Sequence, residues 1–247
     1  MKDRIKGHWN TRSREYDKNV RQVIYFRRDK RVWQRILAGA LGSEPLRVLD
    51  VGTGPGIMAN MLAEMGHQVT GIDVSEGMLK RARDNSSSLH NSLEFVLGDA
   101  ENLPFEGESF DAVVNRYVLW TIPDPKRALA EWRRILKPGG RMVIIDGTWY
   151  LRTADKPLRN RIWQHLSVPL IMLTERRVPR YQDMDDDLMA RLWSSNARRP
   201  EADIGILEDL GFEEIDVDGE FSRRLMTNLD HLKNGHCGEY FLIRAVK

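Results

Sequence analysis

The segment Asp50-Val51-Gly52-Thr53-Gly54-Pro55-Gly56 constrains this chain more than any other. It closes a short, β-branched, mostly apolar run, residues 46–51, that reads as a buried parallel strand. It opens a helical stretch from Ile57 to Met65 that stops at Gly66. Glycines at such a turn let the backbone bend sharply and let a ligand approach without interference from a Cβ. The helix that follows presents unsatisfied N–H groups, which suit a carboxylate or a phosphate. Tight strand-to-helix turns use glycine in any case, so the turn alone does not establish a ligand.

The alternation continues along the chain. A second strand, Gln68 to Asp73, leads to a helix with Ser75 as its N-cap and Glu76 in its first turn. Strand-like runs recur at Leu93–Leu97, Phe110–Asn115 and Arg141–Asp146. Between the last two, the spacing predicts a helix over Lys126–Lys137, with Leu129, Trp132 and Leu136 on one face and Pro138-Gly139-Gly140 as its stop. Helix Ala202–Leu210, strand Phe212–Val217 and strand Glu239–Val246 follow. Such alternation implies right-handed crossovers and a doubly wound α/β sheet. Two segments stand outside it. Residues 8–40 read as helical and amphipathic, and residues 147–200, rich in Arg, Trp and Met, are punctuated by Pro157, Pro169 and Pro179. A structureless loop of that length is improbable. The expected division is therefore a helical lid over 1–42, a core from 43–146 and 201–247, and an inserted helical cap over 147–200.

The 247 residues suit one large α/β domain, or one domain with an insertion. With 38 Lys+Arg against 36 Asp+Glu, the net charge of +2 argues against a dedicated nucleic-acid surface. The single cysteine, Cys237, excludes an internal disulfide and a thiolate metal cluster. The opening Met1-Lys2-Asp3-Arg4 is charged, and the apolar run Val168 to Leu173 is far shorter than the roughly 20 residues that cross a bilayer. A cytoplasmic protein without a membrane partner is expected.

Two more acidic points join the glycine turn. Asp73 ends the second strand, where a carboxylate accepts from ribose hydroxyls, although an Asp there can also cap a helix. The glycines are spaced G-x-G-x-G after an acidic residue, unlike the G-x-G-x-x-G of dinucleotide folds. Gly98-Asp99-Ala100 follows the third strand. In a doubly wound sheet all three points lie at carboxyl ends of strands, where ligands bind. Asp99 can accept from an exocyclic amine while the Ala100 N–H donates to a ring nitrogen, a pair that reads adenine.

At these residues the chain resembles a known family. The segments Val48 to Gly56, Gly71-Ile72-Asp73-Val74-Ser75-Glu76-Gly77-Met78, Gly98 to Phe105, Phe110 to Val114 and Ile135-Leu136-Lys137-Pro138-Gly139-Gly140 occur in the order found in class I S-adenosylmethionine-dependent methyltransferases. They are most similar to the small-molecule branch that includes ubiquinone and menaquinone C-methyltransferases. The resemblance covers residues 46–146 and extends weakly to His8-Trp9-Asn10 and Tyr16-Asp17. It implies a seven-stranded, mostly parallel sheet whose last strand is antiparallel, and S-adenosylmethionine as cofactor, with S-adenosylhomocysteine as product. It implies cofactor contacts from Asp50 and Gly52, Thr53 and Gly54 at the methionine end. Asp73 would hold the ribose, Val74 and Met78 would flank the adenine, and Asp99 and Ala100 would sit at its edge. Asn115 would lie near the methyl group by position, and Tyr16 would fold over as a lid residue.

The expected activity is direct, in-line methyl transfer to a small-molecule acceptor, with no metal and no covalent intermediate. Candidates on the acceptor side are Tyr117 and Trp120, although aromatics at that spacing more often pack a core. His165 is the candidate base, against the commoner role of a surface histidine. Trp149, Tyr150, Trp163 and Trp193 suit cap-to-core packing better than an aromatic lining. The run Asp183-Met184-Asp185-Asp186-Asp187 fits a solvated face or helix start better than a cation site. Doublets such as Arg198-Arg199 read as surface charge. The alternatives are methylation of RNA or protein, against which the absent Asn-Pro-Pro-Tyr motif counts, and a non-catalytic S-adenosylmethionine sensor. Oligomeric state is left open.

Overall fold

The computed structural model describes residues 1–24, 27–87, 89, 92–148, 158–175, 184–225 and 240–247, without the side chains of 19–24, 27–29, 158–165, 175, 186, 222 and 225. Two helices come first, α1 (Lys2–Ile24) and α2 (Arg27–Leu41). The alternating core follows: β1 (Arg47–Val51), α3 (Ile57–Glu64), β2 (Gln68–Asp73), α4 (Glu76–Asn85), β3 (Leu93–Leu97), β4 (Phe110–Arg116), α5 (Pro125–Ile135) and β5 (Leu136–Gly147). Then come α6 (Leu158–Glu175), α7 (Asp186–Arg191), α8 (Glu201–Asp209), β6 (Glu213–Asp218), α9 (Phe221–Leu225) and β7 (Tyr240–Val246).

The strands form one seven-stranded sheet in the order β3-β2-β1-β4-β5-β7-β6. Strands β1 to β5 are parallel, and β7 runs antiparallel to both β5 and β6, as expected. Strand alternation sends successive residues to opposite layers. Val113 and Ile144 pack with Leu129, Trp132 and Ile135 of α5, whereas Val114 and Ile145 pack with Leu37 and Leu41 of α2 and Leu62 of α3. Both layers are buried, which explains why the strands read as continuous apolar runs. The strand order reverses direction between β1 and β4. That switch point opens a crevice at the carboxyl ends of the strands.

The structure departs from the expected reading in three places. Helix α5 starts from an Asp124 cap that accepts from Arg127 N at 3.0 Å, but it ends at Ile135, not Lys137. Leu136 turns extended and pairs with Phe110, and Gly139 N donates to Lys247 O while Lys247 N donates to Gly140 O. Sheet hydrogen bonds therefore claim the Pro138-Gly139-Gly140 turn that was expected only to stop a helix. Pro169 lies inside α6 instead of bounding it, and Pro157 and Pro179 lie outside the described residues. Arg199, read as surface charge, is buried between Asp146 and Asp203.

The acidic run does start a helix. Asp185 caps α7 by accepting from Leu188 N at 2.9 Å, and Asp185 and Asp187 both pair with Arg4 at 2.8 Å. Cys237 lies outside the described residues.

Candidate active site

The glycine turn is held from both sides. Gly52 N and Thr53 N both donate to Ile72 O, at 2.8 and 3.0 Å. Asp50 is almost fully buried behind the turn, and its Oδ2 accepts from Thr53 Oγ1 at 2.7 Å and from Ala59 N at 3.1 Å. Gly56, the N-cap of α3, has no side chain to cap with, so Asp50 supplies the oxygen for the first turn. Burial pushes the Asp50 carboxyl up to about 7, against the lowering effect of those two donors.

Asp73 binds the tip of β2 to the same turn. Its Oδ2 accepts from Gly54 N and its Oδ1 from Ser75 N, both at 2.8 Å. Burial raises its carboxyl to about 6, although the Ser75, Gly54 and Val74 amides oppose the rise. At the third tip, Asp99 Oδ1 accepts from Glu101 N at 2.9 Å. Burial would raise the Asp99 carboxyl, but the Lys2 ammonium holds it below its usual range. Lys2 bridges Asp99 and buried Glu101, each at 2.7 Å.

Helix α1 is thereby drawn across the strand tips. Its Asn10 Oδ1 accepts from Ser75 Oγ at 2.7 Å and Gly77 N at 3.1 Å, while Asp17 accepts from Asn85 Nδ2 at 2.9 Å. Lys2, Ile5, Trp9 and Tyr16 of α1 consequently line a cavity whose other walls are the strand tips. The cavity measures about 1040 Å³ with the space at its mouth included.

Tyr16, Asp50, Gly52, Thr53, Gly54, Asp73, Val74, Met78, Asp99 and Ala100 all line this one cavity, as does Tyr117. Asn115 does not. It is fully buried between Val51 and Ile144, and neither amide atom has a hydrogen-bond partner among the described residues. Alternation along β4 gives the lining position to Arg116. Sequence reasoning assigns no role to Lys2, Ile5 or Trp9, which a distant helix brings to the strand tips, nor to Glu101, which lies inside the motif at the third tip.

Tyr117 follows β4 with φ +59°, a conformation that bulky residues rarely adopt. Burial pushes its phenol up to about 12, so at neutral pH it can donate a hydrogen bond but cannot take up a proton. Trp120 packs in the core, with Nε1 donating to Tyr117 O at 3.0 Å, and Trp193 Nε1 donates to Leu119 O at 2.9 Å. His165 lies in α6 with its side chain outside the described ones, as does that of Trp163, and Trp149 and Tyr150 lie outside the described residues.

The residues suit an adenosyl cofactor. A Cβ built on Gly54 would meet only Gly52 O, at 3.9 Å, so the turn faces open space that a side chain would fill. Around that space stand a carboxylate for a diol (Asp73), a carboxylate and amide for an amine-bearing ring edge (Asp99, Ala100), and aliphatic flanks (Val74, Met78).

Comparison with known proteins agrees. Residues 49–144 match the family described as a methyltransferase domain. With the strand order, this gives the class: residues 49–144 match a methyltransferase domain and lie on the sheet of the class I fold. In sequence the chain is similar to the demethylmenaquinone methyltransferase of Renibacterium salmoninarum, 40% identical over 117 residues that make up 47% of this chain and 48% of the relative. The chain spans about half the length of the curated relatives it matches. Two solved structures share the fold. A SAM-dependent methyltransferase from Aquifex aeolicus has a TM-score of 0.58 and 20% identity, covering 96% of this chain and 97% of its own. The cyclase SpnF has a TM-score of 0.59 and 21% identity, covering 88% of this chain and 80% of its own.

Asp73→Ala is expected to weaken S-adenosylhomocysteine binding by about 1–3 kcal/mol, the worth of hydrogen bonds to a charged group. The wild-type pH profile carries a matching sign. Ribose hydroxyls donate best to the ionised carboxylate, so affinity is expected to fall as pH drops below about 6, where Asp73 gains its proton. Stability of the free protein moves the other way. Asp50 and Asp73 titrate above the ordinary value of 3.8, so their contribution is greatest in acid and is lost as pH rises through about 6 to 7. Titration calorimetry and thermal unfolding between pH 5 and 8 test both. A flat affinity profile would remove the Asp73 charge from binding.

Proposed function

We propose that this protein transfers a methyl group from S-adenosylmethionine to a small-molecule acceptor enclosed beneath α1. The observation that carries this reading is the convergence of Gly54, Asp73 and Asp99, from three strand tips, on one cavity. When bound, the cofactor supplies a methyl group already activated on a sulfonium.

The protein binds, orients and excludes water. Asp73, Asp99 and Ala100 fix the nucleoside, and Asp50 acts behind the turn by holding Thr53 and the first turn of α3. Trp9, Tyr16 and Tyr117 give the cavity an aromatic lining, which suits a cationic ligand by about 0.5–2 kcal/mol per favourable contact. Their apolar surfaces, with Ile5, Val118 and Ile122, suit a flat, apolar acceptor. The similarity to demethylmenaquinone methyltransferases puts quinols first among such acceptors. Helix α1 across the mouth favours an enclosed small molecule over a polymer. No helix among the described residues is long and apolar enough to cross a membrane, and the protein is taken to work in the cytoplasm. Residues 1–42 would serve as the lid and 147–200 as the cap over the acceptor.

Calorimetric titration with S-adenosylmethionine and with NAD tests the cofactor. Binding of the first alone is expected, and tight NAD binding without a response to the first would overturn the reading. Because the fold also serves a protein described as a cyclase, the acceptor assay must read methyl transfer itself. A panel of quinols, thiols, amines and carboxylates is expected to yield one methylated class, with quinols the first candidates.

A further inference from the structure

Among the described residues two cations line the cavity, and their circumstances differ. Lys2 is engaged by Asp99 and Glu101. Arg116 forms no ion pair among the described residues, and its Nε is buried without a hydrogen-bond partner. Its neighbours fix it in place: its guanidinium carbon lies 4.0 Å from the centre of the Tyr117 ring and 5.3 Å from that of Trp33. The acid whose charge reaches it, Asp50, already accepts from Thr53 and Ala59. Tyr117 takes a side-chain hydrogen bond from Arg116 but carries no charge at neutral pH.

Arginine is not deprotonated in proteins, and Arg116 is half-buried with its Nε cut off from any acceptor, an arrangement that is costly unless something pairs it. Aromatic rings offset part of this cost and leave the in-plane N–H donors for a planar oxyanion, the partner a guanidinium fork fits best. Arg116 also ends β4 at the switch point, in the next register position after the Val51–Asn115 pair and so level with the glycine turn.

Building on the methyltransferase reading, we propose that Arg116 is the oxyanion receptor of the cavity, binding a carboxylate or ionised phenol of a ligand. Two sources share this chemistry: the α-carboxylate of the cofactor, and an anionic group on the acceptor.

Paired titrations of wild type, Arg116→Gln and Arg116→Lys separate them. S-adenosylhomocysteine carries the carboxylate, and 5′-methylthioadenosine lacks it. 1-Naphthoate and 1-naphthalenemethanol, titrated with 5′-methylthioadenosine present, form a charged and a neutral acceptor-like pair. In wild type, the anionic member of at least one pair is expected to bind tenfold or more tighter than its neutral counterpart. Arg116→Gln is expected to erase that preference while leaving the neutral member's affinity within about twofold, and Arg116→Lys to retain part of it. Loss in the first pair assigns the cofactor carboxylate, and loss in the second assigns the acceptor. Thermal unfolding adds a readout that a packing role would move oppositely, since removing an unpaired cation is expected to leave the melting temperature unchanged or higher. If Arg116→Gln changes neither preference, the inference fails. If wild type binds neither adenosyl compound, the methyltransferase reading itself fails.

Discussion

Gly52→Ala is expected to cost about 2–5 kcal/mol of stability, the sum of about 1–2 for a left-handed alanine and about 1–3 for overpacking. In a chain of this size the melting temperature should fall by roughly 4–20 °C. Gly52 has φ +65°, and a Cβ built there would overlap Val118, with Cγ1 at 2.7 Å and Cβ at 2.9 Å. A β-branched side chain cannot rotate clear of such a contact. Val118→Ala in the same chain removes both γ carbons but keeps the Cβ, so it is expected to recover part of the packing share and none of the backbone share. Gly54→Ala makes the contrast. Its φ is +55°, but its Cβ would enter open cavity. That variant should lose only about 1–2 kcal/mol of stability while losing tenfold or more in S-adenosylhomocysteine affinity. Thermal unfolding and titration calorimetry on the four proteins check this. An unchanged melting temperature in Gly52→Ala would show that Val118 is not what keeps the position a glycine.

The two glycines show where sequence reasoning succeeds. Strand, turn and helix are local, and so are the acids at the strand tips. Asp50, Asp73 and Asp99 could be placed at one edge because parallel strands all end on the same side. Ser75 was legible as a cap, since Met78 N needs an acceptor three residues later. What stayed hidden depends on distance in sequence or on a single step of alternation. Lys2 reaches Asp99 across 97 positions, and nothing near Lys2 announces that partner. Asn115 and Arg116 are neighbours at the end of one strand, and either could have been drawn facing the cavity until the register with β1 and β5 fixed which one does. The Arg198-Arg199 doublet looked like solvated charge because its second member finds its acids at Asp146, 53 positions away, as well as at Asp203.

That buried cluster gives the second large effect. Arg199→Met is expected to remove about 3–5 kcal/mol, or roughly 6–20 °C of melting temperature. Arg199 Nη2 contacts Asp146 Oδ2 at 3.1 Å and Asp203 Oδ1 at 2.5 Å, Nε contacts Asp203 Oδ2 at 2.8 Å, and both acids are fully buried. Phe241 and Trp193 lie beside the guanidinium, 5.2 and 4.8 Å from its carbon. Burial already pushes the Asp203 carboxyl up, with Arg199 opposing and the Asp146 charge adding to the rise. Without the cation one acid must take a proton or stand uncompensated. The loss should therefore be smallest in acid and deepen as pH rises from 5 to 8, because a carboxyl raised further above its unfolded value gives up its contribution as it ionises. Asp146 keeps two backbone donors, Trp120 N at 3.1 Å and Gly147 N at 3.0 Å, so it is partly provided for. Asp203 loses every side-chain donor it has among the described residues. Arg199→Met combined with Asp203→Leu should consequently be more stable than Arg199→Met alone, since an apolar pair of similar volume often replaces a buried ion pair at little cost. The cluster also bears on the site: Asp146 anchors the turn after β4 through Trp120 N, and that turn carries Val118 and Thr121 into the cavity wall. A loss below about 1 kcal/mol in Arg199→Met, or one independent of pH, would show that the three charges do not act as a unit.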